Sequence, residues 1–174
     1  MLKGVFRVRA ARREDGPVLQ EIERLAGARF REVGLATAAD DDPFSLEELA
    51  EYADSGRSWV AVAGSDRPVG YVVVDNADGN AHVEQMSVAP EHQNQGVGRA
   101  LLAQVHAWAS GTGRRAITLT TYSDVPWNRA LYEHLGFRVL NDSEIGPELR
   151  AIRRAEEARG LDIASRRCML REVR

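Results

Sequence analysis

The sequence holds one cysteine, Cys168, in 174 residues. A lone cysteine closes no internal disulfide, and nothing near it in sequence suggests an activated thiolate, so it reads as a buried, inert thiol. Long apolar runs are missing too: the longest candidate, around Val72-Val73-Val74, is far too short to cross a bilayer. Met1 to Arg7 lack the apolar stretch of a secretory signal. The expectation is a cytoplasmic protein that makes no use of membranes. No charge of one sign dominates, because 23 Lys and Arg stand against 26 Asp and Glu for a formal net charge of -3. That balance lacks the electrostatic footprint of a nucleic-acid or anionic-membrane partner. His82, His92, His106 and His134 show no paired ligand spacing, so no metal is expected and each reads as a surface or interface residue. Repeats, low-complexity segments and linkers are absent from the sequence.

What is present suffices for one domain over residues 1–174, since 44% hydrophobic residues can build a core without staples. Val5 to Arg9 alternates like a strand, and Asp15 is placed to cap a helix carrying Val18, Leu19, Ile22, Leu25 and Ala26. Ser45 and Glu48 form a capping-box pair before Leu46, Leu49, Ala50 and Ala53, after a loop with Asp40-Asp41-Asp42-Pro43. Trp59 to Ala63 and Val69 to Val74 read as a hairpin around Gly64 to Pro68, and Ala81 to Val88 follows a turn over Asn76 to Asn80. A helix from about Gly96 to Ser110 carries Val97, Leu101, Val105 and Trp108/Ala109 on one face. Ala116 to Thr121 is the next strand. Trp127, Ala130, Leu131 and Leu135 mark a helix closed by Gly136, and Phe137 to Leu140 resumes strand. A helical insertion over about 146–160 precedes a weaker last strand, Arg166 to Val173. This order predicts an α/β fold of the α+β kind, a mixed sheet flanked by helices.

One segment carries chemistry. Met86-Ser87-Val88-Ala89-Pro90-Glu91-His92-Gln93-Asn94-Gln95-Gly96-Val97-Gly98-Arg99 ends a strand, turns through a polar loop and opens a helix with two glycines. Backbone N–H groups at a helix start point outward along the positive end of its dipole and bind phosphate oxygens if no side chain blocks the way. Gly96 and Gly98 leave that way open. A Rossmann site would want glycine where Leu101 stands, and no Gly-Lys-Ser/Thr follows for a nucleotide-kinase loop.

Gln93-x-x-Gly96-x-Gly98 resembles the Q/R-x-x-G-x-G/A signature of the GNAT N-acetyltransferases, and Trp127-Asn128-Arg129-Ala130-Leu131-Tyr132-Glu133-His134-Leu135-Gly136-Phe137 resembles their N-x-x-A-x-x-L-Y-x-x-x-G-F helix. The likeness is specific from about Val83 to Phe137 and follows the element order over nearly the whole chain. It implies a mostly antiparallel mixed sheet splayed at the cofactor, and acetyl-CoA as cosubstrate. It also implies a primary amine acceptor, on a small molecule or a protein, with a homodimer plausible. Cofactor contacts would come from Met86 and Val88 through main-chain atoms, from Ser87, and from Gln93, Asn94, Gln95, Gly96, Val97, Gly98 and Arg99, with Asn128 at the pantetheine. Tyr132, one helical turn from Asn128 and off the Trp127/Leu131/Leu135 face expected in the core, would protonate the departing thiolate. Glu84 would take the proton of the attacking ammonium directly or through water, or else is a solvated strand residue.

Asp40-Asp41-Asp42 either attracts a cationic acceptor or is a solvated loop, and Trp127 either lines the acceptor pocket or packs inward. Arg99 and Arg129 either pair with the phosphates of CoA or are ordinary surface arginines. Direct transfer needs no acyl-enzyme, which fits the lack of a nucleophilic triad. Two rival readings are a non-catalytic acyl-CoA-binding sensor or interaction domain, and a nucleotide-binding protein using the same corner.

Overall fold

The computed structural model describes residues 6–173, so Val5 of the first expected strand and the residues before it lie outside the described part. The elements are β1 (Phe6–Ala10), α1 (Gly16–Gly27), α2 (Ala36–Ala39), α3 (Leu46–Asp54), β2 (Ser58–Ala63), β3 (Pro68–Ala77), β4 (Asn80–Val88), α4 (Val97–Gly111), β5 (Ala116–Tyr122), α5 (Arg129–His134), β6 (Arg138–Val139), α6 (Pro147–Ala158) and β7 (Arg166–Glu172). The strands form a seven-stranded sheet in the order β1-β2-β3-β4-β5-β7-β6. β1 with β2, β2 with β3, β5 with β7 and β6 with β7 are antiparallel, whereas β4 runs parallel to β5 through Ala81↔Ile117 and His82↔Thr118. The mixed sheet flanked by helices matches the expected architecture.

The chain contacts divide into two compact units, one of the residues up to 74 with 84–105, the other of 75–83 with the residues from 106 onward. In the first, Leu19 and Ile22 of α1 and Leu49 of α3 pack with Val60, Val62, Tyr71, Val73 and Ala89. The Ser45/Glu48 box starts α3 as expected: the Glu48 N–H donates to Ser45 Oγ at 3.2 Å and the Ser45 N–H to Glu48 Oε2 at 2.8 Å. Gly70 on β3 fixes how closely α4 starts against the sheet, because a Cβ there would lie 2.9 Å from Val97 Cγ1 and 3.1 Å from Ser87 O.

Asp15 does not cap α1. Its carboxylate accepts the Arg12 N–H at 2.8 Å and a two-pronged pair from Arg9 at 2.8 and 2.9 Å. The buried pair with Asp15 raises the Arg9 guanidinium above its ordinary range. The stretch before α3 is not only a loop, since short helical turns occupy Ala28–Val33 and Ala36–Ala39.

In the second unit, Leu149 of α6 packs with Leu140 and Cys168, and with the partly buried Ile145, Ile152 and Leu170. The expected insertion is α6, and its first turn is capped from the β3–β4 hairpin: Glu148 and Leu149 N–H donate to Asp78 Oδ1 and Oδ2 at 3.0 and 3.1 Å. The turn itself is tighter than the expected Asn76 to Asn80. Asp78 and Gly79 are both left-handed, at φ 52° and 75°, the geometry of a two-residue turn that matches strand twist, so β3 and β4 extend to its edges.

Candidate active site

The first motif follows the end of β4. Gln85 Nε2 donates to Ser87 Oγ at 3.0 Å, which is the i, i+2 contact of a regular strand, so Glu84, Met86 and Val88 share the other face. Glu84 is partly buried there and Ser87 is buried. Pro90 ends the strand, and the loop reaches α4 through two left-handed residues, Asn94 at φ 59° and Gly96 at φ 94°.

Two of the expected cofactor side chains hold this loop from within. Gln93 Nε2 donates to Val88 O at 3.1 Å while its Oε1 accepts Arg29 Nη1 at 2.6 Å, and Gln95 Nε2 donates to Glu91 O at 2.8 Å. Val88 O is therefore committed inside the protein, and what the corner offers a ligand is chiefly backbone N–H. Ala100 is the first to bond back, to Gly96 O at 3.0 Å, so the N–H groups of Val97, Gly98 and Arg99 precede the α4 ladder. The Val97 side chain is buried and Arg99 is exposed. Among the described residues, the nearest atom that a Cβ on Gly98 would meet is Met86 Cε, at 3.6 Å.

The second motif lies on α5, six residues long. It closes in a Schellman cap: the Phe137 N–H donates to Tyr132 O at 2.9 Å, the Gly136 N–H to Glu133 O at 3.0 Å, and Gly136 is left-handed at φ 87°. The apolar contact that accompanies such a cap is here Tyr132 against Phe137, edge to face with centroids 5.7 Å apart. The L-Y-x-x-x-G-F pattern is thus a helix stop that pins the tyrosine ring. Tyr132 N–H donates to Asn128 O at 3.1 Å, one turn apart as expected.

Leu131 contradicts the expected core face, being 45% exposed, with Trp127 and Leu135 only partly buried. A helix this short is seated by its cap and not by a flank. Burial pushes the Tyr132 hydroxyl up to about 12, with Arg166 opposing, so the phenol keeps its proton at neutral pH. Arg129 pairs with Glu133 at 2.7 Å. Asp40 is paired with Arg31.

His82 is buried, not a surface or interface residue: it lies between Ala81 and Val83 on an enclosed stretch of β4, with Nδ1 2.9 Å from Thr118 Oγ1. Burial lowers its pKa to about 4. Cys168 is buried as expected, and burial raises its thiol. Among the described residues no group of three or more His, Cys, Asp or Glu is placed to hold a metal ion, and no helix is long and apolar enough to cross a membrane. Arg29 and Gly70 escaped sequence reading, since neither belongs to a motif and both matter through residues distant in the chain.

The profile of the Acetyltransferase (GNAT) family matches residues 19–137. The peptidyl-lysine N-acetyltransferase YjaB of Salmonella typhimurium is 28% identical over 145 residues, covering 81% of this chain and 89% of that protein. The mycothiol acetyltransferase of Clavibacter sepedonicus is 33% identical over 128 residues, which are 70% of this chain but 41% of that protein, so the match spans about two fifths of this relative. The PaiA N-acetyltransferase of Thermoplasma acidophilum, solved with coenzyme A, superposes with a TM-score of 0.72 at 15% identity, over 97% of this chain and 99% of that one. Family match, sheet order and the two motif-bearing corners agree, and the chain belongs to the GNAT family of acetyltransferases, as an acyltransferase enzyme.

Proposed function

We propose that the chain, as a single cytoplasmic domain able to pair as a homodimer, moves an acetyl group from acetyl-CoA to a primary amine within a ternary complex. The pyrophosphate of the cosubstrate binds the N–H groups at the start of α4. Main-chain groups of Met86 and Val88, and Asn128, hold the pantetheine arm. The amine nitrogen attacks the thioester carbon, the C–S bond breaks, and Tyr132 gives its proton to the leaving sulfur. Glu84, directly or through water, takes the proton that the ammonium loses before attack, and the second nitrogen proton, lost as the tetrahedral intermediate collapses to the amide, restores the Tyr132 phenol. Holding both reactants removes translational and rotational freedom before the chemistry, which is where most of the acceleration arises.

The observation that carries this reading is Gly98. A glycine in a helix interior costs about 1 kcal/mol against alanine and in the first turn no more than that, and nothing in the packing of the described residues requires it there, since the nearest atom to a Cβ would be Met86 Cε at 3.6 Å. The missing side chain matters to something that approaches from outside, beside three N–H groups at the positive end of a helix. An anion such as pyrophosphate has that chemistry. The names of two relatives, a peptidyl-lysine N-acetyltransferase and a mycothiol acetyltransferase, support considering both protein and small-molecule amines.

The test is a screen of primary amines, small molecules and lysine peptides together, for thiol release that depends on acetyl-CoA. Turnover of at least one amine is expected. Binding of acetyl-CoA without turnover of any amine would overturn the reading in favour of a sensor.

A further inference from the structure

The cap that pins Tyr132 is completed from β7. Arg171 pairs in register with Ile117 of β5 and sends Nη1 to Leu135 O, the carbonyl at the C-cap of α5, at 3.1 Å. Its guanidinium carbon stands 5.3 Å from the centroid of the Phe137 ring, and its Cδ is the atom that a Cβ on Gly136 would meet, at 3.4 Å. Phe137 in turn meets Tyr132 edge to face. Arg171, Phe137 and Tyr132 therefore form one continuous chain of contacts, with the Arg171 cation also at the negative end of the tyrosine's helix.

This arginine is costly where it is. Its Nε is buried without a hydrogen-bond partner among the described residues. Burial pushes its guanidinium below the ordinary arginine range. A methionine would fill similar volume with no such desolvation cost. What methionine cannot do is hold a carbonyl and the face of an aromatic ring at once. A six-residue helix is well below the length that is stable alone, so its orientation comes from contacts at its ends.

We propose that Arg171 is a positioning residue for Tyr132, fixing the end of α5 and the Phe137 ring so that the tyrosine hydroxyl keeps one orientation. The proposal rests on the reading of Tyr132 as proton donor for its catalytic consequence, and on geometry alone for the positioning.

Two measurements on Arg171→Met separate these. In NMR spectra of protein with 13C-labelled tyrosine, the Tyr132 signal, assigned by its loss in Tyr132→Phe, should shift or broaden while those of Tyr52, Tyr71 and Tyr122 stay in place. An unmoved Tyr132 signal overturns the proposal. In steady-state kinetics, Arg171→Met should lower kcat by about ten- to a hundredfold with acetyl-CoA affinity unchanged, the scale expected when a reacting group is misplaced. The same change in a Tyr132→Phe background should cost nothing further. Equal losses in both backgrounds overturn the proposal, because Arg171 would then act through something other than Tyr132. Arg171→Lys keeps a cation near Leu135 O and should recover part of the rate. If Arg171→Met fails to fold, Arg171→Lys carries both measurements, with smaller effects in the same directions. Should Tyr132→Phe itself turn over at the wild-type rate, the proton-donor role falls, while a displaced Tyr132 signal still upholds the positioning.

Discussion

Gly98 and Met86 face each other across room for one more carbon: a Cβ on Gly98 would sit 3.6 Å from Met86 Cε, an ordinary contact. Alanine at position 98 is therefore expected to raise the unfolding temperature of the ligand-free protein by up to a few degrees, from a helix gain of at most about 1 kcal/mol. Leucine is expected to abolish most of the stabilisation that acetyl-CoA gives. Thermal melts with and without acetyl-CoA read both effects, and a folded Gly98→Leu with undiminished ligand stabilisation would remove the phosphate corner from the site.

Tyr132 is held protonated by burial, up to about 12. A phenol raised this far does not lose its proton anywhere in the working range, so the pH–rate profile should show no fall from tyrosine ionisation below about pH 10. Tyr132→Phe should keep acetyl-CoA affinity and lose about ten- to a thousandfold in kcat. A wild-type kcat in that variant, with chemistry shown to limit the rate, would rule out the proton-donor role.

Glu84 shares its strand face with Met86 and Val88, the segment proposed to hold the cofactor. Glu84→Gln should depress activity most at low pH, where few acceptor molecules are already neutral, and raising the pH should restore part of the rate as solution deprotonation replaces the base. A pH–rate profile identical to wild type on the true acceptor would refute the base role and leave the acyltransferase intact.

His82 makes folding sensitive to acid. Its folded pKa is lowered to about 4 by burial, which outweighs the raising influence of Glu156, Asp75 and Asp78, while Arg166 adds to the lowering. The unfolded chain takes up this proton near pH 6.5, about the ordinary histidine value. Stability present above that pH is therefore lost as pH falls toward 4, at a slope on the order of 1 kcal/mol per pH unit. Urea unfolding at pH 7 and pH 5 should show a larger loss for wild type than for His82→Asn. Equal losses would mean that His82 is not the group responsible.

The elements and their order were legible because their signals are local: the Ser45/Glu48 box, Gly136 after Leu135, and the Asn128 to Tyr132 spacing all act within a turn or two. Asp15 misled because an acid ahead of a helix looks like a cap, and only the fold brings Arg9 close enough to claim it. Leu131 misled because helical periodicity assumes a helix seated on its flank, whereas α5 hangs from its C-terminal cap. Arg171 was beyond sequence reading, since its meaning depends on a strand pairing that joins residues far apart in the chain. Gln93 shows a different limit: its place in the motif was plain, but that its side chain braces Val88 and Arg29 inward depends on tertiary contacts.

Direct transfer in a ternary complex is tested most directly by a quenched single turnover with enzyme in excess over acetyl-CoA and the identified amine present. Free thiol and acetylated amine should appear together, at one rate, with no gain in the mass of the protein. Acetyl accumulating on the protein before the amine is acetylated would contradict direct attack, and thiol release without acetylated amine would contradict transfer itself.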